Sequence, residues 1–209
     1  MRFTRTCVFV VVFATGTAPA FAQATPAQGG SFGYARLGYG AVLASGGSAS
    51  PAIGFGYRAE VGSIGFDISF LNEQIPSSNA FGGDSGAMAG SLLKLEGLYF
   101  TQPNGNGSTY AGGGISWGAT ALASTSSPTT WSNWSGSGLQ GELTLGHEWL
   151  RASPLRLFVQ ADAALPLYRV TGQTFIYSRG QTVTSMDGHR YAPSLVFSVG
   201  MGWQRHRLK

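Results

Sequence analysis

Residues Ile53 to Phe70 read IGFGYRAEV-GS-IGFDISF, and this stretch decides the fold. Ile53, Phe55, Tyr57, Ala59 and Val61 occupy every second position, with Gly54, Gly56, Arg58 and Glu60 between them. Successive side chains of a β-strand point to opposite faces, so the segment is a strand with one apolar face and one small or charged face. After Gly62-Ser63 the pattern repeats, with Ile64, Phe66, Ile68 and Phe70 opposing Gly65, Asp67 and Ser69. A two-residue connection is a tight hairpin, so the two strands are antiparallel neighbours in a fixed register.

The same period of two extends along the chain, broken by clusters of Gly, Ser, Asn and Pro. It predicts further strands at about 31–43, 88–100, 109–121, 138–149, 155–169 and 191–203, eight in all. In the sixth, Leu139, Gly141, Leu143, Leu145 and Trp149 oppose Gln140, Glu142, Thr144 and Glu148. In the seventh, Leu155 to Leu165 alternates with Arg156, Gln160 and Asp162; in the eighth, Leu195, Phe197, Val199, Met201 and Trp203 alternate with Ser and Gly. The fourth is mixed, because Leu92 and Leu98 share the phase of Lys94 and Glu96. Connections alternate in length: 44–50, 72–87, 122–137 and 171–190 are long, whereas 62–63, 101–108 and 150–154 are short. Long loops at one end and short turns at the other are the signature of an up-and-down antiparallel barrel crossing a membrane.

Composition narrows the choice of solvent. The 209 residues include 32 Gly but only 11% charged residues, less than half the roughly 25% of a soluble domain, with 43% hydrophobic and 12% aromatic. Disorder and nucleic-acid binding both call for more charge, so neither is expected. The polar faces of the strands are mostly Gly, Ser, Ala and Thr, which is a poor surface to show to water. Turned inward they suit eight strands, whose interior is just wide enough for side chains to fill. The apolar faces then meet lipid. Tyr34, Tyr57, Phe70, Tyr99, Trp117, Trp149, Tyr191 and Trp203 fall toward strand ends, where interfacial aromatic girdles belong. Period two also fits a soluble barrel that binds a hydrophobic ligand in its core, or a β-sandwich.

The N-terminus reads as an export signal over residues 1–22: Arg2 and Arg5, an apolar core from Cys7 to Ala14, and Ala20-Phe21-Ala22 before Gln23. Thr15, Gly16, Thr17 and Pro19 break the apolar run well short of the roughly 20 residues of a membrane-spanning helix. Cleavage removes Cys7, the only cysteine, and with it thiol and disulfide chemistry. It also leaves 11 basic against 9 acidic residues, a net of +2 in place of +4. A linker (23–30), the barrel (31–203) and a basic tail (204–209) complete the expected organisation.

Pattern and topology over about residues 30–203 resemble the small eight-stranded outer-membrane barrels of Gram-negative bacteria, the OmpA, OmpX and Ail-like superfamily. The resemblance implies an outer-membrane location with lipopolysaccharide and other outer-membrane lipids as neighbours. It also implies assembly by the barrel-assembly machinery, which reads a final strand ending in an aromatic. Leu195-x-Phe197-x-Val199-x-Met201-x-Trp203 is similar to that signal, although Gln204 to Lys209 follow it.

Two residue sets are candidates for function. Arg58, Glu60, Asp67, Lys94, Glu96, Glu142, Arg156 and Asp162 lie on the inward phase and are expected to form a salt-bridge network, because unpaired charges in a narrow lumen are costly. Such a network is either a plug or the gate of a narrow pore for water, ions or small solutes. Trp131, Trp134, Phe175, Tyr177 and Arg179 fall in the long connections and are candidates for binding an unidentified extracellular ligand. Catalysis, cofactors and metal are not expected. His147, His189 and His206 have no evident partners, and Asp84 and Asp187 are too isolated for a calcium loop. Gly112-Gly113-Gly114 opens no helix and so forms no phosphate loop.

Overall fold

The computed structural model describes residues 30–44, 49–73, 86–127, 129–178 and 180–204. They form ten strands: β1 (Gly30–Val42), β2 (Ala49–Val61), β3 (Ile64–Glu73), β4 (Gly86–Phe100), β5 (Gly107–Ser127), β6 (Thr130–Trp149), β7 (Leu155–Pro166), β8 (Val170–Ser178), β9 (Gln181–Arg190) and β10 (Ser194–Gln204). Every pairing is antiparallel. β1 pairs with both β2 and β10, and β10 returns to β7, so β1 to β7 with β10 close an eight-stranded barrel. The hairpin that decides the reading has Val61 opposite Ile64, with Gly62 at a φ of 60°, the sign that a two-residue II′ connection demands of its first residue.

Burial alternates along the barrel strands, with one break of phase in β4. Phe55, Phe66, Leu143, Leu145 and Val199 point out and are more than half exposed, whereas Arg58, Lys94 and Glu148 point in and are fully buried. A water-soluble fold reverses this arrangement, and hydrocarbon satisfies it. The outward row of β6 from Leu139 to Trp149 makes ten steps. At about 3.4 Å per step and a tilt of about 40° it spans about 26 Å, the height of an outer-membrane apolar band.

The structure corrects several sequence expectations. Residues 122–137 and 171–190 are strand for most of their length rather than loop: β5 and β6 run on to Ser127 and from Thr130, and β8–β9 is a hairpin whose first strand pairs with the far end of β6. These segments are rich in Thr and Ser and carry Trp131, Trp134, Phe175 and Tyr177; their β-branched and aromatic residues favour strand, while the Ser and Gly between them mimic turn composition. The seventh strand stops at Pro166 rather than 169, and β10 begins at Ser194 rather than 191, because Pro193 has no N–H to offer a ladder. Leu92 is outward, not on the phase of Lys94: a bulge between Ser91 and Leu93 sets Leu92 and Leu93 both toward lipid and returns Lys94 to the lumen. Tyr34 is not a girdle residue, since it lies inside the barrel. The expected signal segment and the tail beyond Gln204 lie outside the described residues.

The lumen is filled by opposing large and absent side chains. A Cβ at Gly56 would stand 2.5 Å from the Tyr34 hydroxyl, and one at Gly200 would enter the Phe158 ring. Gly97 faces outward with no atom within 4 Å of its missing Cβ. Gly200→Val is therefore expected to destabilise the barrel by about 1–3 kcal/mol through overpacking, and Gly97→Val to leave it unchanged. Urea midpoints of the two proteins, read by the heat-dependent gel mobility of folded barrel, check this contrast.

Candidate functional site

The structure places all eight charged residues singled out in the sequence inside the lumen, together with four that the sequence reading did not include: Arg36, Glu73, Glu148 and Arg151. From the short-turn end outward the interior is built in layers. Arg151 Nη1 donates to the carbonyls of Gln102 and Pro103 at 2.9 Å each, while its Nη2 meets Glu60 Oε2 at 2.8 Å and its guanidinium lies 4.6 Å from the Phe100 ring centre. Arg156 Nη1 bridges Glu60 at 2.9 Å and Glu148 at 2.8 Å.

Above this layer, Arg58 is enclosed by Phe32, Tyr34, Tyr110 and Phe158, whose ring centres lie 4.6 to 5.8 Å from its guanidinium carbon. Its donors go to Asp67 (2.9 Å), Gln160 (3.1 Å) and Glu148 (3.4 Å). Tyr34 and Tyr110 turn their hydroxyls onto the same acceptors, donating at 2.7 Å to Asp67 and Gln160 respectively. A second knot centres on Asp162, which accepts from Lys94 and, at 2.5 Å, from Arg36. Lys94 also lies 3.2 Å from Glu96 and 3.7 Å from Glu142, and the Thr144 hydroxyl stands within 2.7 Å of both Glu96 and Asp162.

Seven buried carboxylates face five buried cations in this set, and the excess lies at the outer end. There Glu142 leans on the hydroxyls of Ser91 (2.8 Å) and Ser116 (2.5 Å), and Glu73 on Ser194 (3.1 Å). An apolar layer follows, first Ala52, Leu71 and Val196, then Val42, Ala89, Leu122, Trp134, Val170 and Ala192. An apolar cap thus closes the outer end of the charge network.

The four added residues differ in how visible they were. Arg36 alternates with Ala35 and Leu37, and Glu148 with His147 and Trp149, so period two carried both. Glu73 lies beyond the read end of its strand. Arg151 sits in a turn, where no periodicity exists, and reaches the lumen because Leu150 adopts a φ of 60°.

Beyond the barrel, β5, β6, β8 and β9 continue as a four-stranded extension. Trp131 of β6 stacks on Phe175 of β8 with ring centres 5.6 Å apart and planes 14° apart, and Tyr177 shares the Phe175 face and is half exposed. Trp134 does not join them. It points to the opposite face, where it is 2% exposed in the apolar cap, with the Arg190 guanidinium 3.9 Å from its ring centre. It is therefore not exposed, as a residue of a long external loop would be, but packs in the apolar cap. Arg179 lies outside the described residues. His147 is on the outward face near the short-turn end, 2.9 Å from the Thr109 hydroxyl and against the Trp149 ring at 4.6 Å, a setting that suits an interfacial residue.

Removing one partner of a buried ion pair strands the others, at a cost of about 3–5 kcal/mol. Lys94→Met, which leaves Asp162, Glu96 and Glu142 short of a cation, is expected to lose stability in that range, whereas Tyr177→Ala stays within about 0.5 kcal/mol. Urea unfolding of the barrel refolded in phospholipid vesicles, followed by tryptophan fluorescence, measures both.

No protein-family model matches the sequence, and no curated protein is similar to it in sequence. In structure the chain is similar to the Neisserial surface protein A, NspA, at a TM-score of 0.57 and 10% identity over 84% of this chain and 97% of that one. The N-terminal β-barrel domain of Pseudomonas aeruginosa OprF (TM-score 0.44, 10% identity, 85% and 100% covered) and the attachment invasion locus protein Ail of Yersinia pestis (0.43, 16%, 85% and 99%) also match. The likeness to NspA, at so low an identity, is one of fold: the chain is an eight-stranded antiparallel barrel of the outer-membrane type.

Proposed function

We propose that the protein is an exported outer-membrane barrel whose lumen is a structural plug and whose working surface is the extension formed by β5, β6, β8 and β9, an adhesin-like platform for contacts outside the cell. The observation that carries this reading is the aromatic pair Trp131–Phe175, held with Tyr177 on a paired β-ladder beyond the lipid belt. Aromatics fixed by strand pairing present large contact area at little entropic cost, which is how binding anchors work. The export signal expected in residues 1–22 supports the location, and the apolar exterior supports residence in lipid. Filled layers and caps at both ends favour the plug over the pore.

Bacteria displaying the protein are expected to adhere to epithelial-cell monolayers, and Trp131→Ala/Phe175→Ala to lower adhesion about fivefold or more with unchanged heat-dependent mobility; equal adhesion by wild type and variant removes the platform role. In planar bilayers, wild type and Arg58→Ala are both expected to be silent. Discrete conductance steps from the wild type would restore the pore.

A further inference from the structure

The Trp131–Phe175 stack has chemically uniform surroundings. Residues in register on neighbouring antiparallel strands share a face. Trp131 pairs with Phe175 and Phe175 with Thr184, while Asn133 pairs with Gln173 and Tyr177 with Thr182, so all of these stand on one side of the extension. Trp131 and Phe175 are half-buried against each other, and Tyr177 is half exposed. Next to the rings along β6 and β8, Asn133 and Gln173 set two carboxamides side by side, both exposed. Toward β5 the partner of Asn133 is Ala123, whose short side chain leaves the ground there low. Toward β9 the rings are bordered by the exposed hydroxyls of Thr182 and Thr184.

What this face lacks selects the partner as firmly as what it carries. Among its described side chains there is no Asp, Glu, Lys or Arg, so nothing on it answers a carboxylate, a sulfate, a phosphate or a charged peptide. Arg190 of β9 is turned to the other face, onto Trp134. A purely apolar partner meets only a strip, because amides flank the rings on one side and threonines on another. A pyranose ring answers both parts. Its slightly positive C–H groups pack against aromatic rings, whose faces are negative. Its hydroxyls both donate and accept, as carboxamides and threonine hydroxyls do without charge. Building on the platform reading above, on which this inference rests, we propose that this face binds a neutral oligosaccharide carried on an opposing surface. Trp131, Phe175 and Tyr177 meet its C–H face, and Asn133 and Gln173 read its hydroxyls.

The full mature chain, folded in a detergent without a sugar headgroup, tests this by saturation-transfer NMR and titration. The probes are lacto-N-neotetraose, maltotetraose and mannotetraose, all neutral, and the sialylated form of the first. The wild type is expected to transfer saturation to the C–H protons of at least one neutral probe and to bind it about fivefold more tightly than the sialylated one. Trp131→Ala and Asn133→Ala are each expected to weaken that binding about fivefold or more, and Trp131→Phe to retain most of it. Val183→Thr, on the other face of β9, leaves it unchanged. Thr184→Lys, which adds a cation beside the rings, is expected to turn the preference toward the sialylated probe. Heat-dependent mobility of each variant separates loss of binding from loss of fold. No binding of any neutral probe by the wild type, equal or tighter binding of the sialylated one, or full binding by folded Trp131→Ala overturns the proposal. Adhesion that needs Trp131 and Phe175 yet persists on glycosylation-deficient monolayers assigns the platform to a protein partner, which overturns this inference and leaves the platform standing; equal adhesion by wild type and the double variant removes both.

Discussion

The guanidinium of Arg58 is fully buried among four aromatic rings and three polar acceptors, and the constraint behind it shapes the rest of the barrel. Closing eight strands creates an interior too narrow for free solvent and too wide to stay empty. Long side chains must cross it, and wherever one crosses, the facing strand must give way. Phe158 lies against Gly200, Tyr34 against Gly56 and Tyr110 against Gly146 for this reason. The abundance of glycine and the low charge count are thus one phenomenon: among the described residues most of the barrel's charge is drawn inward, where each cation meets a carboxylate.

Pairing of this kind is expensive to leave incomplete and not strongly stabilising in itself. Its value lies in specification. Each cation meets carboxylates from other strands, as when Arg36 of β1 meets Asp162 of β7 and Arg156 of β7 meets Glu60 of β2. A strand slipped by one residue turns these groups into hydrocarbon, so the interior chemistry and the outer apolar belt enforce the same register.

Much of this was legible in the sequence, because strand alternation is a strong signal when both faces have strict requirements. Arg58, Glu60, Asp67, Lys94, Glu96, Glu142, Arg156 and Asp162 could be assigned to one side without knowing their partners. Legibility failed where the two-residue period breaks or loses contrast. The bulge at Ser91/Leu93 shifts phase in the middle of β4, so Leu92 was read on the wrong face. Tyr34 was read from its type and its place near a strand end, although its parity with Arg36 put it inside. In the extension, Ser, Thr and Gly lie on both faces, so strand was read as loop and Trp134 as exposed. Arg151 acts from a turn, and its reach to Glu60 depends on a backbone conformation that no alternation encodes.

The bonds across the lumen join residues far apart in the chain: Arg36 to Asp162 spans 126 positions, Ser194 to Glu73 spans 121 and Arg156 to Glu60 spans 96. Until β1 meets β10, these partners stand on an open, curling sheet, and water must serve each charge in place of its eventual counterion. The sheet therefore stays wet on its concave side while its convex side is already committed to lipid. The seam between β1 and β10 can seal only as that water leaves, so drying the interior and zipping the final ladder are a single event. A barrel built this way has little reason to populate a sealed but mispaired form, because sealing it would trap the charges dry and alone.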